Sequence, residues 1–406
     1  MSTTTLVPDR IFDPVDGGMV SGHKVVIEGD RVIAVEPATG DGTPLPGKTI
    51  VPGLIDVHTH LTGPVDDGQG YAHLVMRNGA QDAMIGVKHA SETLGAGFTT
   101  VRDIGTFRAF VDVALRDAID ADWVDGPRMM VAGAYVTCPG GGGDITGLAA
   151  DVDEVLPREL RFGVTTGVDQ MRANVRQILR YGADFIKVLA TGAVLTSGTN
   201  PGAPEFTEDE LRAAVEVAAE NGTHVAAHAH GAEGIKRAVR AGVLSVEHGS
   251  LLDDEGVELM AQHGTYLVAD LYDGDYITEM GPSLGYSDEV MAKTELTTQA
   301  QRDGFRKAVA AGVKVAFGTD SGVYPHGDNA RQLSLYVEHG LTAAQTLQSA
   351  TLWAAELMGW DDRVGSLRPG LYADLVVVDG DPLADITTLE HPSGVMKGGV
   401  WFSEPA

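Results

Sequence analysis

Between residues 53 and 322 the chain repeats one unit, a short apolar run without polar alternation followed by a segment of helical character. The runs are 53–60, 99–105, 128–137, 184–192, 224–231, 243–250, 265–271 and 314–322. Strands buried on both faces are written this way, and parallel sheets covered by helices are built from them. Alternation of strand and helix predicts an α/β fold. Eight runs is the number that a closed (β/α)8, TIM-like barrel requires, and about 250 residues suffice for one. The intervening helices carry their own boundary signals. Thr207 followed by Glu210 is a capping box, and the helix it opens closes near Asn221-Gly222. Residues 232–241, 253–263 and 298–311 follow the same plan.

The two ends of the chain read differently. Lys24-Val25-Val26-Ile27-Glu28 and Arg31-Val32-Ile33-Ala34-Val35 flank Gly29-Asp30, a hairpin signal. Residues 374–380 and 394–401 are strand-like as well. We therefore expect a small β-sandwich domain built from residues 1–50 and 364–406, around a barrel at 51–363. Two irregular stretches, 138–147 and 270–288, follow strand ends, where barrel loops build active sites. The first contains Pro139 and a run of glycines; the second carries Tyr272, Tyr276, Pro282 and Tyr286.

Charge narrows the partners. Lys and Arg number 29 against 57 Asp and Glu, a formal charge of −28. Such a surface repels nucleic acid phosphates and anionic membranes, so a small-molecule substrate is expected and neither of those partners is. No apolar stretch reaches the roughly 18 residues of a membrane span. Met1-Ser2-Thr3-Thr4-Thr5 lacks the basic and apolar regions of a signal peptide. Cys138 is the single cysteine, which excludes an intramolecular disulfide and fits a cytoplasmic location. A homo-oligomer is expected, because exposed helix rings commonly pair barrels.

The chemistry sits at the ends of the runs. His58 and His60, two apart on a strand, point to the same face. His228 and His248 end the fifth and sixth runs and Asp320 ends the eighth. This donor set suits a pair of divalent metal ions, with zinc the default for a histidine-rich site. Lys187 lies inside Phe185-Ile186-Lys187-Val188-Leu189, where a charged amine is costly unless paired or neutralised. A neutral amine can add CO2 and become a carbamate, an anionic two-oxygen bridge that two metals can share. His230 shares the strand face of His228 and is either a hydrogen-bond partner of the site or a donor to substrate. Tyr272 and His326 are further candidate substrate contacts. Arg102, next to Asp103, reads as one half of an internal ion pair.

These motifs resemble the amidohydrolase superfamily. Val51-Pro52-Gly53-Leu54-Ile55-Asp56-Val57-His58-Thr59-His60 looks like its first-strand signature. Ala96-Gly97-Phe98-Thr99-Thr100-Val101-Arg102-Asp103, His228-Ala229-His230-Gly231 and Val246-Glu247-His248-Gly249 are similar to the imidazolonepropionase-related branch, which includes prolidases and carboxypeptidase-like dipeptidases. The resemblance implies that His58, His60, carbamylated Lys187 and Asp320 hold one metal, and that Lys187, His228 and His248 hold the second. It implies hydrolysis of an amide bond of a dipeptide or N-acyl-amino acid by a metal-bridging hydroxide. Asp320 would take the proton from water and deliver it to the leaving amine. The same metal pair would serve a cyclic amide such as imidazolone propionate, a lactone, or a xenobiotic carbamate, ester or organophosphate. A non-catalytic scaffold on a barrel that lost its site is opposed by the complete ligand set. One position departs from the branch: Gly141-Gly142-Gly143-Asp144 stands where its members show Gly-His-Gly-Asp, so Gly142 removes the contact made by that histidine.

Overall fold

The computed structural model describes residues 3–66, 68 and 70–405. Met1 and Ser2, where the signal-peptide reading starts, lie outside the described residues. The chain opens with β1 (Thr3–Asp13), β2 (Gly18–Ser21), β3 (His23–Glu28), β4 (Arg31–Pro37) and β5 (Thr43–Pro52). β3 and β4 form the hairpin expected from Gly29-Asp30, with Glu28 opposite Arg31. One residue, Gly53, separates β5 from the next strand, β6 (Leu54–Thr59). A Cβ at Gly53 would stand 2.0 Å from Thr99 Oγ1, so this joint admits no side chain.

From β6 onward the strands are short, parallel and apolar on both faces. They are β6, β7 (Phe98–Asp103), β8 (Arg128–Val131), β9 (Tyr135–Val136), β10 (Ile186–Leu189), β11 (Val225–Gly231), β12 (Ser245–Leu251) and β13 (Tyr266–Val268). They fall into two sheets, β6-β7-β8 and β13-β12-β11-β10-β9. The single run expected at 128–137 thus supplies two strands, one to each sheet. It breaks at Gly133, whose N–H goes to the Asp112 carboxylate (2.7 Å) and whose carbonyl accepts from Phe110 N (2.7 Å). Those backbone groups are then no longer free for a neighbouring strand.

The eighth run is not a regular strand. Isolated parallel bridges join Val315 to Leu267 of β13 and Ser321 to Thr59 of β6. The segment between them bends because the N–H groups of Thr319 and Asp320 both reach the carbonyl of His58 (3.2 and 2.8 Å), with Asp320 at φ +57°. The architecture is α/β and TIM-like, with a small β domain at its side.

That domain is completed by β14 (Leu375–Asp379), β15 (Gly394–Lys397) and β16 (Val400–Ser403). The expected sandwich is one continuous eight-stranded sheet of order β16-β15-β14-β5-β1-β3-β4, with β2 on β1. It encloses its own core, in which Leu6, Val25, Ile50, Leu375, Val377 and Met396 cluster. Strand alternation on β14 sends Val376 and Val378 the other way, into the main core.

The helices Glu208–Glu220 and Ala232–Ala241 lie where their signals place them, the first with the Thr207/Glu210 capping box formed in both directions. Asp253 caps Asp254–His263. Two expectations need correction. The segment 298–311 is the C-terminal part of one helix, Asp288–Ala310, capped by Ser287. The stretch 270–288 contains the helix Asp273–Leu284, with Pro282 inside it. Pro282 sits in the final turn, where a missing N–H leaves a single carbonyl without its intrahelical partner. Residues 138–147 remain irregular, as expected. Among the described residues no helix is long and apolar enough to cross a membrane.

Candidate metal centre

His58 and His60 leave the end of β6 on one face, as their spacing requires. Their Nε2 atoms lie 3.4 and 3.1 Å from Asp320 Oδ1. The opposite ring nitrogens are tied down. His58 Nδ1 lies 2.9 Å from Glu247 Oε2, and His60 Nδ1 donates to Gly105 O at 2.8 Å, with the Tyr135 hydroxyl 3.1 Å away. Fixing one nitrogen aims the other, which is how ligating imidazoles are usually held.

A second group comes from β11 and β12. His228, His230 and His248 bring one ligand atom each within 4.8 Å of one another, and so do His58, His60 and Asp320. His248 Nδ1 lies 2.7 Å from Asp270 Oδ2, His230 Nδ1 lies 2.7 Å from Ser250 Oγ, and His228 Nε2 donates to Gly192 O at 3.2 Å. The two groups adjoin, since His248, Asp270 and Asp320 form a third such set and the His58 and His248 rings are 4.9 Å apart.

Lys187 projects from β10 into the same cavity and is 2% exposed. Among the described residues its ammonium has neither an ion pair nor a hydrogen bond, so the alternative of a buried ion pair with Asp is not what forms. Burial pushes its pKa down to about 8, against the pull of Glu247 and Asp320. Burial also drives His228 well below the imidazole range and His230 down to about 3, with the neighbouring His248 adding to both. His58 behaves oppositely. Burial and Lys187 oppose its charge, yet Asp320 and Glu247 outweigh them and raise it to about 9. The pocket between these carboxylates therefore favours a positive charge.

Glu247 and Arg102 were not foreseen in their full role. Arg102 is the expected internal ion-pair member, but its partner is Glu247 (2.8 Å), not the adjacent Asp103. It also donates to Val57 O at 2.7 Å, which ties β7 to β6 and β12. Burial alone would raise Glu247; Arg102, His58 and Lys187 hold it well below the carboxylate range. Asp270 and Asp56 were also missed. Asp56 accepts from His58 N, Thr319 N, Thr319 Oγ1 and Asn329 Nδ2 at 2.6–3.1 Å, clamping the Asp320 segment to β6. The signal was available, because a carboxylate inside an apolar parallel strand must have a partner.

A cavity of about 350 Å³ opens onto the centre, and its wall includes His58, His60, Lys187, His228, His230, His248 and Asp320. Tyr272 and His326 are not in that wall, contrary to the expectation of substrate contact. Tyr272 packs edge-on against Tyr324 and accepts from Arg331 at 3.1 Å. His326 is buried and stacks on His89, ring centres 4.3 Å apart. Gly142 is in the wall. Its N–H donates to the Glu205 carboxylate (2.9 Å) and its carbonyl accepts from Thr196 Oγ1 (2.6 Å).

A family model described as "Amidohydrolase family" matches residues 49–402. Ochratoxinase of Aspergillus niger is 31% identical over 431 aligned positions, spanning 99% of this chain and 87% of that protein. Imidazolonepropionase of Streptomyces coelicolor is 25% identical, spanning 95% and 92%. A crystal structure of a Xaa-Pro dipeptidase with bound methionine in its active site superposes with a TM-score of 0.92 at 36% identity, covering 99% of this chain and all of the other.

Proposed function

The chain belongs to the amidohydrolase family, in its prolidase-like branch, and is a hydrolase acting on C–N bonds; from that premise we propose that it cleaves an amide bond of a small molecule with two divalent metal ions. The observation that carries the reading is the convergence of two histidine-rich groups on a buried, unpaired lysine in one cavity. The residues present fit the metals: each imidazole has one nitrogen held and the other free for a ligand bond, and among the described residues Lys187 has no ion-pair or hydrogen-bond partner that would block its modification. His58, His60, Asp320 and carbamylated Lys187 would hold one ion; Lys187, His228 and His248 would hold the other, zinc being the first choice. Such a pair supplies Lewis acidity towards water and a carbonyl oxygen.

The protein residues do the rest. Asp320 accepts a proton from the attacking water and returns it to the leaving amine. Its backbone is set for this by the Asp56 clamp. His230, neutral and fixed by Ser250, donates to the substrate. Lys187, if carbamylated, would offer oxygen donors to both groups. The bridges at Val315 and Ser321 support closure of an eight-stranded barrel at 51–363, with residues 1–50 and 364–406 as the small domain. A cytoplasmic homo-oligomer completes the proposal.

The relatives favour a dipeptide or N-acyl-amino acid as substrate. A second reading, an uncharged amide, cyclic amide, lactone, carbamate or ester, is favoured by the composition of the cavity wall. The test is amine release by zinc-loaded protein, with a chelated sample and Lys187→Ala as controls. Metal-dependent release that Lys187→Ala abolishes supports the reading. No amine release from metal-loaded protein would move the reading to lactones, esters and cyclic amides, which liberate no free amine.

A further inference from the structure

Tyr135 stands in register with Lys187 on the neighbouring parallel strand, so the two side chains leave the sheet on one face. Both line the cavity. The His60 ring lies against Tyr135 as well, with ring centres 5.9 Å apart and the hydroxyl 3.1 Å from His60 Nδ1. The direction of that hydrogen bond is fixed by a third group. Gly105 O lies 2.8 Å from Nδ1 and, as a carbonyl, can only accept. Nδ1 therefore carries its hydrogen, and the Tyr135 hydroxyl oxygen can accept a share of it but cannot donate to it. The phenolic proton is left over. Among the described residues no acceptor takes it, and a phenol keeps its proton to about pH 10.

The ring that carries this hydroxyl is held in place. Phe107 packs edge-on against it, ring centres 5.1 Å apart. A Cβ at Gly105 would stand 3.1 Å from both Cδ1 and Cε1 of Tyr135, and one at Gly143 would stand 3.1 Å from Tyr135 Cβ. These glycines let the backbone close on the ring from two loops. A donor fixed before substrate arrives costs no reorganisation during the reaction, so it is worth most where charge develops. Tyr135 is at such a place, because the imidazole it touches is the one whose Nε2 lies 3.1 Å from Asp320.

We propose that Tyr135 is a catalytic residue whose hydroxyl donates a hydrogen bond to the scissile carbonyl oxygen as that oxygen gains negative charge. The inference rests on the reading that this cavity holds the reacting amide. Tyr135 then acts from β9 beside His60, while His230 acts from β11 beside His248, ring centres 4.7 Å apart. Tyr135 also supplies a side-chain donor in the part of the wall where Gly142 has none.

The test compares the zinc-loaded full chain with its Tyr135→Phe variant, which keeps the ring and deletes the hydroxyl. With N-benzoyl-phenylalanine as substrate, kcat should fall by about a hundredfold or more while KM stays within about threefold. Two readouts are independent of turnover. Zinc affinity, read by competition with a chelator, should be unchanged. Methylphosphonate, a small tetrahedral oxyanion, should bind the variant at least about tenfold more weakly in calorimetry. A kcat within about threefold of wild type, or a rise in KM alone, overturns the inference. A rate loss matched by loss of zinc also overturns it, because the hydroxyl would then serve only to hold His60. If wild type does not hydrolyse the amide, methylphosphonate binding decides. Weaker binding to the variant keeps the donor role while the amidase reading fails; equal binding, or none to either protein, overturns the donor role.

Discussion

Nδ1 of His58 lies 2.9 Å from Oε2 of Glu247, and neither side chain reaches solvent. The other Glu247 oxygen faces Arg102 at 2.8 Å, so one carboxylate both aims a candidate ligand and neutralises a buried guanidinium. Glu247→Gln keeps the shape and removes the charge. It should destabilise the protein by about 3–5 kcal/mol, the usual consequence of leaving a buried charge unpaired. Metal affinity should also fall, by roughly tenfold to a hundredfold. Urea unfolding of the apoprotein and competition with a chelator read the two effects separately. Wild-type values in both would show that the contact orients nothing.

Asp320 lies against both His58 and His60 and is 8% exposed. Asp320→Asn retains an oxygen donor but loses the proton acceptor. We expect metal content to stay close to wild type while kcat drops by about a hundredfold to ten-thousandfold. Near-normal turnover in this variant would remove Asp320 from the proton path.

The three-imidazole group contains one more ring than the proposed second metal requires. His230→Ala distinguishes its roles. Retention of two metals per chain with kcat lowered by about a hundredfold or more identifies a donor to the reacting substrate. Loss of a metal equivalent identifies a ligand. Lys187→Ala should lose metal instead, and a short carboxylic acid added to the buffer should restore part of it by filling the vacated space with two oxygens.

Glu205, which holds Gly142 N, is raised from its ordinary 4.5 to about 7 by burial. Between those two values the folded protein keeps a proton that the unfolded chain has released. Stability therefore falls as pH rises through that window, by about 3 kcal/mol once pH exceeds 7. Below pH 4.5 both states are protonated and nothing is lost. Glu205→Gln should be more stable than wild type at pH 8 and equal to it at pH 4. Parallel stability curves for the two proteins would contradict this.

The positions of the chemistry were legible because the chain writes them locally. Two histidines at spacing two, single histidines ending apolar runs and a lysine inside another fix which face and which end each side chain takes. Their supporting partners were not legible. Glu247 meets His58 across the interior, and no periodicity within Val246-Glu247-His248 reports what β6 and β7 place opposite. Thr207 and Glu210 announced their helix through a reciprocal local bond. The helix Asp273–Leu284 gave no such notice, because Gly274, Gly281 and Pro282 are breakers by propensity and its packing overrides them. Tyr272 and His326 lie outside the cavity wall for a similar reason: sequence places a residue in a loop but not the direction of its ring.

Gly53 splices the strand that carries His58 directly to β5, and β5 is held on one side by β14, with Val51 opposite Val376. Those partners are almost the whole chain apart in synthesis. While the ribosome is still making the barrel, the root of the first catalytic strand is an open sheet edge, and it is sealed only when Leu375–Asp379 emerge. β14, remote from the chemistry, thus acts as the closing stitch of the active-site strand. A chain cut short before residue 375 would be a folding defect before it was a catalytic one.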